Sequence, residues 1–518
     1  MNVTFYGATR GVTGSMHMIT TQDDRILLDC GMYQGYRKET RAKNSSFPFD
    51  PRLISNVILS HAHIDHSGRL PLLTKNGFTG RIICTNATRD ACKYLLSDSA
   101  HIQESDAAYL NYKAVRSLLS HMSTTNKDKR SIQKGLKKNG HKLDLEAIDK
   151  VIVEHRLEKV EPLYTMKEAE EAMRQFEGKP YRHPEQIGKD SAFTLYDAGH
   201  ILGSAFSVVR YKAENRKFAV MFTGDIGRFN KPIIQDPTLN FAEEDREIDL
   251  LIMESTYGNR FHDDAENMKP ELMRLINNAV PRKGVILIPA FSYGRTQEVL
   301  YLLHELYNEG NIPRLPVYVD SPLSSKITKV FGDHPEVYDR DTHTTFLEKG
   351  ENPFSFQQLK YIETLEESMA LNRDTAPAIV IASAGMCEAG RILHHLRHKI
   401  HNPSTTILIV GYMAEHTLGR KILDRGLDYQ ASGRKGSPPV LKILGKEYPL
   451  QAHVETMSGL SAHADQKELL SFLSGSNLKI KKIAVVHGEE SQSLALAERL
   501  KGLGMNAFVP MAGETVRV

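Results

Sequence analysis

The segment HAHIDH, residues 61 to 66, places three histidines and an aspartate in six positions directly after the apolar run Val57, Ile58, Leu59. Histidine accounts for 22 of 518 residues, so three at chosen positions arise by chance with a frequency of roughly 10⁻⁴. Strand ends rarely bury several imidazoles for structural reasons, because each ring brings two nitrogens that need partners. A metal explains the spacing. In extended backbone His61 and His63 project to one side and can share one ion, neutral imidazole being a common zinc ligand. Asp65 and His66 follow where the chain is expected to turn into a helix starting near Ser67 and Gly68, so they point elsewhere and can serve a second ion. Two ions need further ligands downstream. His200 and Asp225 are candidates, each at a strand end beside a glycine (Gly199, Gly224), and His487 repeats the pattern in VVHGE.

The elements that must position these residues are short strands separated by glycine-rich turns: Val3 to Tyr6, Ile26 to Asp29, Val57 to Ser60 and Arg81 to Cys84. A helix is expected from Thr88 to about Asn111. A strand ending at Asp197 to His200 follows, then a hairpin from Ala205 through the polar turn at 213 to 216 to Gly224 and Asp225, and a strand from Ile248 to Glu254. From about Tyr257 strands alternate with helical patterns, the rhythm of a parallel sheet with crossover helices. The strands there are Val285 to Pro289, Val317 to Asp320, Ala378 to Ala382 and Ile407 to Gly411. Residues 431 to 439 are turn-rich, after which the first style resumes. The expected domains are residues 1–256, an insertion at 257–430, and a return at 431–518.

Length and composition agree with more than one core: 518 residues, 41% hydrophobic and 25% charged. No apolar stretch approaches the roughly 20 residues of a membrane span, and no signal or transit sequence is expected. The scattered cysteines, Cys30, Cys84, Cys92 and Cys387, suit free thiols in a reducing cytoplasm. The net charge of +3 is too small to imply a polyanionic partner. Residues 113 to 142, however, hold nine Lys/Arg against one acid, Asp128. A solvated insertion is the plainer reading of that run, an arm along phosphates the sharper one.

HAHIDH with LLDCG (27–31), DAGHILGSA (197–205) and FTGD (222–225) resembles the metallo-β-lactamase superfamily. ESTYGNR (254–260), FSYGRTQE (291–298), SAGMCEAGR (383–391), GYMAEHTLGR (411–420), SGLSAHAD (458–465) and VHGE (486–489) narrow the resemblance to the β-CASP nucleases. Only the basic insertion near 113 to 158 stands outside it. The resemblance implies an αββα metallo-β-lactamase sandwich with an inserted Rossmann-like parallel-sheet β-CASP domain. It implies two Zn²⁺ per chain, with His61, His63 and His200 on one, Asp65, His66 and His487 on the other, and Asp225 bridging. Asp29 would orient a histidine ligand, and Glu254 with His463 would handle proton transfer, so Asp29, Asp65, Glu254 and His463 form the expected catalytic set.

The activity so implied is hydrolysis of RNA phosphodiester bonds by a two-metal-activated hydroxide, leaving 5′-phosphate and 3′-hydroxyl ends, in endonucleolytic or 5′ to 3′ exonucleolytic mode. Single-stranded RNA is the expected partner, no membrane is expected, and a homodimer is left open. Three strand-to-helix turns of the insertion offer N–H groups to phosphates: Ser292, Gly294 and Arg295; Gly390 and Arg391; Thr417, Gly419 and Arg420. The alternatives are a small-molecule hydrolase of the same superfamily, a DNA nuclease of the same family, and an inactive RNA-binding scaffold. The inserted domain argues against the first, histidine at 487 against the second, and the complete ligand set against the third. His394 and His398, four apart in HHLRHKIH, lack partner acids and get no metal role.

Overall fold

The computed structural model describes residues 1–35, 37–121, 135–138, 142–213, 216–262, 265–457 and 459–518. Two seven-stranded sheets face each other. The first runs Thr515–Arg517, Asn2–Gly7, Met16–Thr20, Arg25–Leu28, Asn56–Ile58, Arg81–Thr85 and Phe176–Lys179 in spatial order. The second runs Ala507–Phe508, Ile483–Val485, Leu250–Met253, Arg216–Phe222, Ala205–Ala213, Ser191–Asp197 and Glu185–Gln186. Alternation decides which faces meet. Val3 and Phe5 of Asn2–Gly7 point inward, and with Ile26 and Ile58 they pack on Phe193, Val220 and Ile252 of the opposite sheet. Helix Asn86–His121 lies against the first sheet, while Gln466–Gly475 and Glu490–Gly502 cover the second through Phe472 and Leu496. The result is the expected four-layer sandwich.

The long helix runs ten residues past the expected end at Asn111. It continues because Val115 and Leu119 bury against Ile148 and Ile152 of a second helix, Leu145–Glu154, in a small separate core. The predicted basic stretch therefore begins on an ordered helix. Lys127, Lys129, Arg130 and Lys134 lie outside the described residues, as do Glu214 and Asn215 of the predicted hairpin turn.

The third sheet is parallel throughout, in the order Leu359–Tyr361, Val317–Val319, Ala378–Ala382, Val285–Pro289, Thr406–Ile409 and His453–Thr456. Its last strand lies beyond residue 430, where the turn-rich stretch predicts the return. The chain stays with the third sheet until Thr456 because Leu441, Ile443 and Val454 bury in that sheet's own core. All four cysteines are free and buried. Among the described residues no helix is long and apolar enough to cross a membrane.

One consequence of this topology sets up the site. Strands 25–28, 56–58, 191–197, 216–222, 250–253 and 483–485 all end at the same edge of the sandwich, and each is followed within three residues by Asp29, His61, His200, Asp225, Glu254 or His487. The carboxyl ends of such strands are where α/β folds gather functional groups. Close approach of the two sheets there needs glycine at 224, whose φ is +52° and whose added Cβ would lie 2.5 Å from the Cβ of Ser60. Gly224→Ala is expected to cost about 1–3 kcal/mol through backbone strain and displacement of Ser60, seen as a lower midpoint in thermal denaturation.

Candidate metal centre

The seven candidate ligands, drawn from four chain segments, converge. Ligand atoms of His61, His63, His200 and Asp225 lie within 4.8 Å of one another, and so do those of Asp65, His66 and His487. Asp225 stands between the two sets. Its Oδ2 is 3.5 Å from Nε2 of His61 and 3.5 Å from Nε2 of His200. Its Oδ1 is 3.4 Å from Nε2 of His66 and 3.4 Å from Nδ1 of His487. Around a tetrahedral ion with ligand bonds near 2.1 Å, neighbouring donors sit about 3.4 Å apart. Asp65 completes the second set, with Oδ2 3.6 Å from Nε2 of His487. The turn carrying Asp65 and His66 is already helical, Ile64–Ser67, so the helix starts earlier than expected, and it is this turn that points both side chains away from His61 and His63.

Neighbouring groups fix which nitrogen each ring presents. Asp29, fully buried, accepts the Ser60 backbone N–H at 2.8 Å and the Ser60 and Ser15 hydroxyls at 2.9 and 3.1 Å. Its Oδ2 also lies 2.6 Å from Nδ1 of His66, so that nitrogen carries the proton and Nε2 faces the site. The Ser60 hydroxyl, having donated to Asp29, accepts from Nδ1–H of His61 at 3.0 Å and turns Nε2 of that ring inward. Thr256 Oγ1 lies 3.3 Å from Nδ1 of His487. Ser15, Ser60 and Thr256 were not singled out from the sequence, because an isolated hydroxyl has no spacing signature.

Protonation behaviour follows from burial and charge. Burial pulls His61 and His200 well below the usual histidine range and His63 down to about 4, leaving neutral rings with free lone pairs. Burial also opposes charge on His66, but the carboxylates of Asp225 and Asp29 outweigh it and raise that pKa. A divalent cation takes the place of such a proton. Two observations show that the residues fit a metal. Both nitrogens of His200 and Oδ1 of Asp225 are buried without a hydrogen-bond partner. Ring nitrogens of each set crowd one space, Nε2 of His61 lying 3.0 Å from Nδ1 of His63 and Nε2 of His66 3.0 Å from Nε2 of His487, as donors around a shared ion do.

Glu254 and His463 adjoin this centre. Glu254 is fully buried, and its Oε1 accepts the Ile226 N–H at 2.6 Å and lies 3.2 Å from Nδ1 of His463. Burial lowers the His463 pKa, yet Glu254 and Asp225 more than reverse this and push it up to about 9. Its side chain is partly exposed.

The three turns of the third sheet sit at its carboxyl edge. Ser292 Oγ is 3.3 Å from Ser321 Oγ, Gly294 N–H donates to the Gln297 side chain at 2.9 Å, and Thr417 caps helix Leu418–Ala431. Gly390 packs on the Ser383 carbonyl and Gly419 on the Met413 sulfur. Each arginine faces a carboxylate: Arg295 with Glu298 at 2.6 Å, Arg391 with Asp320 at 2.6 Å, Arg420 with Asp424 at 2.8 Å.

Two facing sheets with a histidine and aspartate cage at one edge define a metallo-hydrolase of the β-lactamase type. Comparisons agree: residues 9–115 match the metallo-beta-lactamase superfamily, 296–422 the Beta-Casp domain, and 447–510 a Zn-dependent metallo-hydrolase RNA specificity domain. The chain is 32% identical to "Ribonuclease TTHA0252" of Thermus thermophilus over all of both chains. It is 28% identical to "Transcription termination factor FttA" of Methanosarcina mazei, covering 100% of this chain and 72% of that one. A crystal structure of a protein of unknown function from Enterococcus faecalis V583 shares the fold, with a TM-score of 0.50 at 12% identity over 99% of each chain. The chain belongs to the β-CASP family of the metallo-β-lactamase superfamily.

Because Asp225 faces both sets, Asp225→Ala is expected to lower divalent-metal uptake more than His200→Ala does. Asp29→Asn should weaken metal affinity by about 10–100-fold by releasing the His66 ring. Metal analysis after dialysis against graded chelator measures both.

Proposed function

We propose that this protein is a zinc-dependent ribonuclease that hydrolyses RNA phosphodiester bonds to 5′-phosphate and 3′-hydroxyl ends. The observation that carries the reading is the position of Asp225, with one carboxylate oxygen toward each histidine set. His61, His63, His200 and Asp225 would hold one ion, and Asp65, His66, His487 and Asp225 the other. Five imidazoles with two carboxylates form a donor set that suits zinc over harder cations. A pair of such ions supplies Lewis acidity toward phosphate and makes hydroxide available at neutral pH.

The chain's own residues do the rest. Asp29 and Ser60 hold the His66 and His61 rings so that no reorientation is needed during reaction. Glu254, itself anchored by the Ile226 amide, holds Nδ1 of His463 and keeps that ring protonated. His463 then delivers its proton to the departing 3′ oxygen, which would otherwise leave as a high-energy alkoxide. Similarity to a protein named a ribonuclease over the full chain, and a match to an RNA specificity domain that spans His463 and His487, support RNA as the polymer. The arginines at 295, 391 and 420 and the turns beside them remain candidates for phosphate contacts once an RNA strand competes with their carboxylate partners.

Purified protein is expected to contain about two zinc ions per chain and to cut end-labelled single-stranded RNA but not the DNA of the same sequence. His463→Ala should lower kcat by about 10²–10⁴-fold with zinc content unchanged. Cleavage of DNA at equal rate, or full activity after zinc removal with a chelator, would overturn the reading.

A further inference from the structure

Away from the metal centre, a depression of about 260 Å³ is lined by Tyr6, Tyr33, Lys43, Phe47, Pro48 and Arg69. Arg69 is 1% exposed, the most voluminous of the fully buried side chains. Its Nη2 donates to the Ser46 carbonyl at 2.6 Å, and its guanidinium lies 4.2 Å from the Phe47 ring centre and 5.9 Å from that of Tyr33. These contacts account for one donor and one face. Nε is buried without a hydrogen-bond partner. Burial lowers the Arg69 pKa, and the groups that act against this are the Cys30 thiol and the Tyr33 phenol, neither of them a carboxylate. A buried cation without an anion is costly, and cation–π contact offsets only part of that cost. Lys43 brings a second positive charge, with Nζ 5.5 Å from the Tyr33 ring, and it joins no ion pair among the described residues.

The location matters as much as the charge. Arg69 follows His66 by three residues, and its N–H bonds to the Cys30 carbonyl at 2.9 Å, while the Cys30 N–H bonds to the His66 carbonyl at 2.8 Å. Tyr33 follows Met32, whose N–H bonds to the Ile64 carbonyl at 2.9 Å. The wall of the depression is thus built from the two segments that carry Asp65 and His66. Two cations supply the charge complement of a phosphate monoester, and guanidinium is suited to bind it through more than one donor. The aromatic walls suit a flat ring attached to it. At about 260 Å³ the depression is smaller than the roughly 300–1,000 Å³ of pockets that enclose drug-sized ligands, so it takes part of such a unit and leaves the rest in solvent.

The geometry points to a second, non-catalytic binding site at Tyr33, Lys43, Phe47 and Arg69 for a nucleoside phosphate, with the phosphate between Arg69 and Lys43 and the base against the aromatic walls. The occupant is either a free nucleotide or one nucleotide of a strand that also reaches the metal centre. Only the second case rests on the ribonuclease reading above.

Photolabelling of the zinc-loaded protein with 8-azido-AMP, followed by peptide mapping, tests the site without requiring cleavage. Label is expected on peptides containing Tyr33 or Phe47, competed by AMP and far less by adenosine. Lys43→Ala and Arg69→Lys should each reduce that labelling by about tenfold or more. Lys43 is exposed, so its variant keeps the fold even if Arg69→Lys lowers the melting temperature. Absence of label from these peptides, or label indifferent to Lys43→Ala, overturns the proposal. Kinetics on RNA then separate the two sources. A raised KM at constant kcat in Lys43→Ala identifies a strand nucleotide, whereas unchanged cleavage by that variant together with loss of an AMP effect on rate identifies a free one.

Discussion

Five imidazoles and two carboxylates meet at one edge of a sandwich whose interior is mostly Val, Ile, Leu and Phe. Burial forces the His61, His63 and His200 rings to be neutral, so their lone pairs converge instead of being relieved by protonation. Both nitrogens of His200 and one carboxylate oxygen of Asp225, all buried without a partner, are groups that hydrogen bonding within the protein leaves unsatisfied. Cations resolve all of these contacts together. The rest of the molecule can be understood as what is needed to hold the groups in that proximity.

Holding them requires backbone in conformations that side chains other than glycine rarely adopt. Asp29 has φ +59° and His487 has φ +50°, each a cost of order 1–3 kcal/mol that surrounding contacts must outweigh. For Asp29 the outweighing contacts are its two bonds from Ser60 and one from Ser15, together with the charge-assisted bond to His66. For His487 it is the 2.7 Å bond from its N–H to the Ala8 carbonyl and the Thr256 contact. Asp29 directly follows strand Arg25–Leu28 and His487 lies two residues past Ile483–Val485, where the ladder has ended and the chain is free to turn. At these two positions the strained backbone aims a side chain at the site.

The candidate metal cluster was legible in the sequence to an unusual degree because its residues are rare types at strand ends, several with glycine beside them. Strand limits came close for the same physical reason: runs such as Val285 to Pro289 and Ala378 to Ala382 are apolar throughout, as strands buried on both faces must be. What could not be read is what depends on contacts distant in sequence. Met16–Thr20 is buried almost along its whole length, so it shows no alternation to mark it as a strand. The helix from Asn86 outlasts its expected end because a satellite core forms with residues 148 and 152. The return of the chain at 431 was inferred from a loop, whereas sheet membership is decided by where Leu441, Ile443 and Val454 find apolar surface. The hydroxyls of Ser15 and Ser60 carry no signal until the strands bring them to Asp29.

The third sheet is joined to the sandwich by more than its two chain connections. Apolar packing is continuous from the first sheet's helices through Ile201 and Tyr293 into Ile286 and Leu300. Tyr293 donates its hydroxyl to the Leu202 carbonyl, and its ring edge meets His63 with centroids 6.0 Å apart. Beside it Lys231, six residues after Asp225, pairs with Glu298 at 2.5 Å, and Glu298 also binds Arg295. All three charges are buried, so removal of Glu298 would leave two cations without a partner, a heavier loss than that of a surface pair. A joint of this kind resists the wide separation that a loosely tethered lid would allow. It places the carboxyl edge of the third sheet, with Ser292, Gly390 and Thr417, in fixed relation to His63 and His200. The candidate metal centre thus lies at a seam between the sandwich and the third sheet, where buried charge pairs and apolar packing join the two.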